Sequence, residues 1–427
     1  HPRDTMSRVR RAYRGKLLSP VDRAGDSPSL RYLEDALLVV GETGKIEHVG
    51  PFDLDAAGAP VRDLRPAVLL PGFVDAHVHF PQTRIIGSAT GPLLRWLEAT
   101  VFPEEARFRE EAYARAVAAE FSARLIACGT TTSVVFSSSD PGATRVLFEQ
   151  LASSGLRSIA GLTLMDQACP EALCVPRERA IDACAELYEA FHGFDEGRLS
   201  FAVTPRFALS CSKSLLEAAA RFAEEKGLLV QTHVAESPNE GVETLRAHPF
   251  AKDYLDVYDH VGLLGSRTLL AHAIHFSPSE WDRVAERGAR IAHCPDSNFF
   301  LGSGRMRLDE ARSRNIPVAL GSDVAAGRSF DMRRAMASAY DNALCAGFSV
   351  TPAELFTMAT LGGARALGLE SVIGSLDEGK DADFIAVRLP SYAVSEEQVL
   401  AQIAFASEGA EVSRVFVRGR RLSAAIG

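Results

Sequence analysis

Residues 71–82 read PGFVDAHVHFPQ, and this stretch decides the fold. The apolar run Ala67, Val68, Leu69 and Leu70 passes through a Pro-Gly step into Phe73 and Val74, then into His77 and His79 with one residue between them. That is the pattern of a buried strand ending in two histidines. Strand side chains alternate faces, so His77 and His79 point the same way, roughly 7 Å apart along the backbone and close enough to share one metal ion. Imidazole suits zinc, copper, iron and nickel. The pair alone is half a site, because a packed, hydrogen-bonded histidine is the commoner occupant of such a position. Other segments have to supply the missing ligands.

Outward from this strand, compact apolar runs at 131–136, 158–164, 199–204, 228–233, 268–272, 289–293 and 317–321 alternate with helical stretches such as 104–127 and 177–191. Eight strand candidates separated by helical patterns predict an α/β chain with a TIM-type (β/α)8 barrel over residues 71–373, its strands parallel and its active site at their C-terminal ends. A doubly wound sheet would announce a Gly-rich first turn, and no GxGxxG or Walker sequence follows an early strand. On either side the rhythm changes. Short extended runs at 12–18, 36–40 and 46–49, broken by turns at 41–44 and Gly50-Pro51, are matched by 374–387 and 412–422. These predict antiparallel strands, and a small β-sandwich domain assembled from residues 1–70 and 374–427 with the barrel inserted between them.

Composition narrows the function. The 427 residues exceed a usual single core. Hydrophobic residues at 47% and charged residues at 24% are ordinary for a soluble globular chain. The net charge of -9 leaves no basic excess to neutralise phosphates, so neither nucleic acid nor an anionic membrane is expected as partner. Two short basic clusters, residues 8–14 and 418–421, read as solvated faces. Seven scattered cysteines (Cys128, Cys169, Cys174, Cys184, Cys211, Cys294, Cys345) never fall in a CxxC, which predicts free thiols in a reducing cytoplasm. No apolar segment approaches 18 residues and the first residues are charged, so a soluble, unexported, cytoplasmic protein is expected. His1 to Thr5 precede Met6 and are open to being non-native.

Polar residues recur where the strands stop. The first ends at His77 and His79, the fifth (QTHVAES) at His233 with Glu236 three residues on, the sixth (LLAHAIH) at His272, and the eighth (ALGSD) at Asp323. In a barrel these ends surround one mouth. Taken singly, His233 and His272 pass for core histidines, Asp323 for a helix N-cap and Glu236 for a solvated loop residue. Jointly, three histidines and an aspartate are the donors that hold a zinc-like ion while leaving a place for water. Such an ion makes hydroxide available near neutral pH. The alternative zinc deaminase design, HxE followed by PCxxC, is absent.

The string VDAHVH on strand one, with a His on strand five, a His on strand six and an Asp on strand eight, resembles the amidohydrolase superfamily over essentially the whole chain. Some members hold two metals bridged by a strand-four lysine. LSFAVTPRF has none, which points to the mononuclear branch. Within that branch HVHFPQ (77–82), TPRFALSCS (204–212), HVAES (233–237), HCPDSNFFLGSG (293–304) and GSDVAAG (321–327) are similar to the guanine deaminases. The resemblance implies His77, His79, His233 and Asp323 as ligands of one zinc per chain, iron being equally acceptable to such donors. It implies Gln82, Arg206, Phe207, Glu236 and His272 around a small purine, and a homodimer; catalytic roles for Glu236, His272 and Asp323 follow from the chemistry below. Asp296 departs from the expected Thr or Asn and is predicted at the pocket rim, with Asn298 and Phe299 as lesser lining residues and His275 and His293 as bystanders.

A chemical account fits these assignments. Removing an amine from purine C2 needs attack by hydroxide, protonation of ring N3 and protonation of the departing ammonia. Glu236 is the natural shuttle, Asp323 can take the water proton, and His272 can hold the water and the tetrahedral intermediate. Arg206 offers forked donors for the purine O6, and Gln82 both a donor and an acceptor. Phe207 is placed to pack on the ring face. Two alternatives stay open: a relative acting on another aminated or chlorinated heterocycle (triazine, pterin, 8-oxoguanine, adenosine), and a non-catalytic barrel scaffold.

Overall fold

The first barrel strand forms at Phe73–His79 with every residue buried, and seven more follow: Thr130–Phe136, Arg157–Gly161, Leu199–Phe201, Val230–Val234, Thr268–His272, Arg290–His293 and Val318–Leu320. Two four-stranded parallel sheets carry these eight strands. The sheets join edge to edge. Between the fourth and fifth strands lies a parallel bridge from Val203 to Val230. Between the eighth and first, the Asp323 N–H donates to the His77 carbonyl at 2.8 Å and the His79 N–H to the Val324 carbonyl at 3.2 Å. The barrel predicted from the alternating pattern is thereby closed. Its interior is a cluster of small and branched side chains, including Val74, Ala76, Val134, Ala271, Ala292 and Ala319, which fills the lumen instead of leaving a pore. This computed structural model describes residues 9–22, 28–88 and 91–424, so His1–Thr5 and Arg8 lie outside the described residues.

The helices follow local chemistry. Pro238–Ala247 and Pro278–Arg287 each begin with a capping box, Ser237 with Glu240 and Ser277 with Glu280, and each has proline in its first turn, where no N–H is needed. Arg177–Phe191 spans the predicted range. The expected helix over 104–127 is broken, because Glu110 takes an extended backbone (φ -84°, ψ 108°) between a short helix at Phe102–Ala106 and a long one at Glu111–Ala127. Glu396–Phe405 is a helix that the sequence reading did not anticipate. Among the described residues no helix is long and apolar enough to cross a membrane.

Remote parts of the chain build one seven-stranded sheet, in the order Arg420–Leu422, Glu411–Val417, Phe384–Arg388, Val61–Pro71, Arg11–Pro20, Leu30–Val40, Ile46–Pro51. The strands were expected to be antiparallel throughout. Arg11–Pro20 and Val61–Pro71 instead pair in parallel, since the chain leaves the edge strand, crosses over through the helix Leu54–Ala57 and re-enters in the same direction. The inner face converges on Tyr13, Phe384 and Phe416, with Phe384 stacked on Phe416 at 4.3 Å and Tyr13 edge-on to both at 5.2 Å. Each such buried ring contributes about 1.5–3 kcal/mol through desolvation.

Val61–Pro71 runs through Gly72 directly into the first barrel strand. A Cβ on Gly72 would lie 2.0 Å from the Thr131 hydroxyl, so only glycine lets the two strands approach here. At the opposite end of the barrel from the histidines, Arg157 donates to Asp383 at 2.9 Å and to Asp381 at 2.7 Å, with all three side chains buried. Arg418 and Lys45 add donors to Asp381 at 3.0 and 3.1 Å. The segment 379–383, expected to lie in a strand, is a loop that delivers these two carboxylates.

The cysteine expectation needs correction. Cys169 and Cys174 form a disulfide, because the turn between them brings their Cα atoms to 5.8 Å. The other five thiols are free.

Candidate active site

The strand ends bring together every residue expected at the metal. His79 Nε2 lies 3.2 Å from His77 Nε2 and 3.1 Å from His233 Nε2, and both His77 Nε2 and His79 Nε2 lie 3.2 Å from Asp323 Oδ1. Donors sharing an ion at about 2.0–2.1 Å stand roughly 3.3 Å apart, so these separations fit a single first-row cation. His272 Nε2 is next to them, 3.7 Å from Asp323 Oδ2 and 3.4 Å from Glu236 Oε2. All six side chains are buried.

Backbone geometry turns these groups inward. Ala235, His272, Ala273 and Asp323 adopt positive φ (47°, 75°, 51° and 49°) at the ends of strands five, six and eight. Left-handed backbone at non-glycine residues costs about 1–3 kcal/mol each and persists where the surroundings enforce it. Gly321 makes room: a Cβ there would meet His77 Cβ at 2.7 Å.

A second layer of groups orients the first. His233 Nδ1 faces the Arg206 carbonyl, which fixes the Nδ1–H tautomer and leaves Nε2 to the cluster. His272 Nδ1 faces Asn298 Oδ1 at 2.8 Å. Asp75 accepts from the backbone N–H groups of His77 (3.2 Å) and Ser322 (2.9 Å) and from the Ser322 hydroxyl, tying strand one to strand eight. Burial pushes its carboxyl up to about 6, against these hydrogen bonds. Glu240, the capping-box residue, accepts the Glu236 N–H at 2.9 Å.

Protonation follows from burial and charge. Burial, then the neighbouring imidazoles, holds His233 well below its ordinary value, and burial brings His79 to about 4. Burial also pushes Asp323 up, but the facing His77, His79 and His272 outweigh it and hold the carboxyl well below the usual range. Glu236 goes the other way, raised well above the usual range by burial and by Asp323. Burial thus favours lone pairs on His79 and His233 and the charges facing Asp323 favour its carboxylate, while Glu236 is biased toward its protonated form. Deprotonated imidazole and carboxylate donors are the form that binds a divalent cation.

A narrow cavity opens onto this cluster, walled by Gln82, Trp96, Leu97, Arg206, Phe207 and Glu236. Arg206 is paired with the buried Glu105 at 2.7 Å, not with a surface carboxylate. Gln82 donates to the same Glu105 at 3.3 Å and accepts from the Ala325 N–H at 3.1 Å, so it is no solvated turn residue. A larger cavity of about 880 Å³ at the junction of sheet and barrel, lined by Arg11, Arg62, Arg418, Arg420 and Arg421, holds none of the convergent donors.

Some expectations shift. Asp296 is not at the pocket rim. It is buried and anchors Arg328 (2.6 Å), Arg334 (3.0 Å) and Ser338 (3.2 Å). Asn298 acts behind His272, not in the cavity wall. His275 bonds the Ser303 carbonyl at 2.8 Å, away from the cluster. Sequence reasoning missed Asp75, Trp96, Glu105 and Glu240. Asp75 lies two residues before His77, on the same strand face, and the Ser237–Glu240 spacing is a visible capping signal. Glu105 left no sign in a stretch that looks like solvated helix.

Comparison with known proteins agrees with this geometry. Residues 68–422 match the model of the amidohydrolase family. Guanine deaminase of Escherichia coli (strain K12) is 38% identical over 387 residues, 88% of this chain and 87% of its own. A solved structure of E. coli guanine deaminase is 35% identical and superposes with a TM-score of 0.92 over 96% of this chain and 99% of that one. Guanine deaminase of Mus musculus is 33% identical over 376 residues, 84% of this chain and 83% of its own. The C. acetobutylicum guanine deaminase, solved with guanine bound in its active site, is 28% identical, with a TM-score of 0.89 over 97% of this chain and all of that one. With a matching family model across most of its length and the donor cluster in place at the barrel mouth, the chain belongs to the amidohydrolase family.

Proposed function

We propose that this chain is a zinc-dependent guanine deaminase, hydrolysing guanine to xanthine and ammonia. The observation that carries the proposal is the adjacency of two arrays: the donor cluster of His77, His79, His233 and Asp323, and the hydrogen-bonding array of Gln82 and Arg206 that faces the same cavity. Relatives at 38% and 33% identity bear the guanine deaminase name, and a similar structure holds guanine. A divalent ion held by these four residues supplies Lewis-acid activation of water.

The chain's own residues do the rest. Gln82 and Arg206 grip the N1–C6 edge of the purine, and Phe207 packs on its face, which directs C2 toward Glu236. Glu236, protonated in its dry site, gives a proton to ring N3 and returns the proton it next acquires to the leaving amine. Asp323 accepts the proton of the attacking water. His272, held by Asn298, faces both carboxyls and keeps the water and the developing charge in place. Leu97 and Trp96 exclude bulk water from above.

An ammonia-release panel on protein of measured metal content tests this. Guanine should be turned over in preference to adenosine, pterin and triazine substrates, with about one zinc per chain. Strong turnover of another ring with none of guanine would sink the substrate assignment, and inactive, metal-free protein would favour a scaffold.

A further inference from the structure

Resting on that reading, we infer that Glu105 is the positioning residue that makes the site select a 6-oxo purine. Glu105 sits in the short helix Phe102–Ala106, with its carboxylate buried at the mouth of the barrel. It spans two strand ends: Oε1 accepts from Gln82 Nε2 at 3.3 Å, beyond strand one, and Oε2 accepts from Arg206 Nη1 at 2.7 Å, beyond strand four.

A primary amide can turn over, which exchanges its donor and acceptor. Gln82 is held from both ends. Its Nε2 faces a carboxylate, which has no hydrogen to give, and its Oε1 faces the Ala325 N–H at 3.1 Å, which has no lone pair to offer. Turning the amide over would set acceptor against acceptor at Glu105 and donor against donor at Ala325. What remains for a ligand is one N–H on Nε2 beside one lone pair on Oε1. The N1–H/C6=O edge of guanine is the complement of that pair: O6 takes the amide N–H and N1–H gives to Oε1. Arg206, its charge balanced by Glu105, adds further N–H groups for O6. A purine with an amino group at C6 brings hydrogens toward these donors and a bare N1 toward the amide oxygen. Sites built to hydrogen-bond a specific group reject the mismatched analogue strongly.

The test is equilibrium titration of metal-loaded enzyme with hypoxanthine and with adenine, which differ at C6 and N1 and lack the reacting amine. Wild type should favour hypoxanthine at least about tenfold, and equal affinities would overturn the inference without any variant. In Glu105→Gln the new amide can accept from Gln82 or from Arg206 but not from both. Hypoxanthine affinity should fall about 10- to 100-fold and KM for guanine should rise with it. Adenine affinity and zinc content should stay near wild type, and kcat should change less than KM. Parallel loss of both ligands, or no loss of either, removes Glu105 from recognition. Wild-type protein that releases no ammonia from guanine sinks the proposed function instead, a result separable from retained turnover with unchanged discrimination in the variant.

Discussion

The barrel carries a buried charged cluster at each end, and the two are built on opposite principles. At the base, Arg157, Arg418 and Lys45 meet Asp381 and Asp383 directly. Burial pushes Asp381 up, but Arg157 outweighs it and holds the carboxyl below its ordinary value. At the mouth, Nε2 of His77, His79 and His233 and Oδ1 of Asp323 converge, with contacts of 3.1–3.2 Å. One cluster is closed within the chain and the other has the geometry to hold a cation from outside. At the base every buried charge meets an opposite charge of the same chain, whereas at the mouth the donors converge on a common point.

Four experiments break or sharpen this contrast. The largest effect belongs to His233→Ala, which should lose metal and turnover together, about 10⁴-fold or more in kcat, as metal analysis beside ammonia release will show. Glu236→Gln should keep its zinc and lose about 10²–10⁴-fold in turnover; retained turnover would take Glu236 out of the mechanism. Arg157→Met should do the reverse, costing about 3–5 kcal/mol of unfolding free energy by removing the buried guanidinium that bridges Asp381 and Asp383, while leaving kcat/KM of the folded, metal-loaded fraction near wild type. Denaturant curves read the first quantity. The smallest effect is the pH arm. Asp381 titrates lower when folded than its ordinary 3.8, so its contribution is present above that value and is lost as pH falls through the folded value. Wild type should therefore lose more stability between about pH 5 and 3 than Asp381→Asn does.

The mouth was the more legible end, for a physical reason. The proposed metal donors sit at strand termini, where period-2 alternation and a single polar break in an apolar run are visible in one dimension, so His77, His79, His233, His272 and Asp323 stand out as a group without coordinates, and the family resemblance implies which four of them are ligands. Glu236 followed from its spacing. The base was illegible, since Asp381 and Asp383 look like polar positions of an extended run in GKDADF and Arg157 like a strand edge, and nothing in either segment names the other. Glu105 failed for a related reason. Its neighbours Glu104, Arg107 and Arg109 give it the look of a solvated helix face, and only the break at Glu110 turns that segment into the barrel mouth. The parallel pairing of Arg11–Pro20 with Val61–Pro71 depended on a crossover whose hand no local pattern records.

Val61–Pro71 lies between Arg11–Pro20 and Phe384–Arg388, and this seating has a consequence for biosynthesis. Its far neighbour is translated about 300 residues later, roughly 15–60 s at 5–20 residues per second. Throughout that interval the nascent chain carries a strand with one unsatisfied edge, continuous with the segment that bears His77 and His79. Until synthesis reaches Phe384 that edge is free to pair with other polypeptides, so escort by a chaperone at the ribosome matters more for this architecture than for one whose sheet is made from consecutive strands.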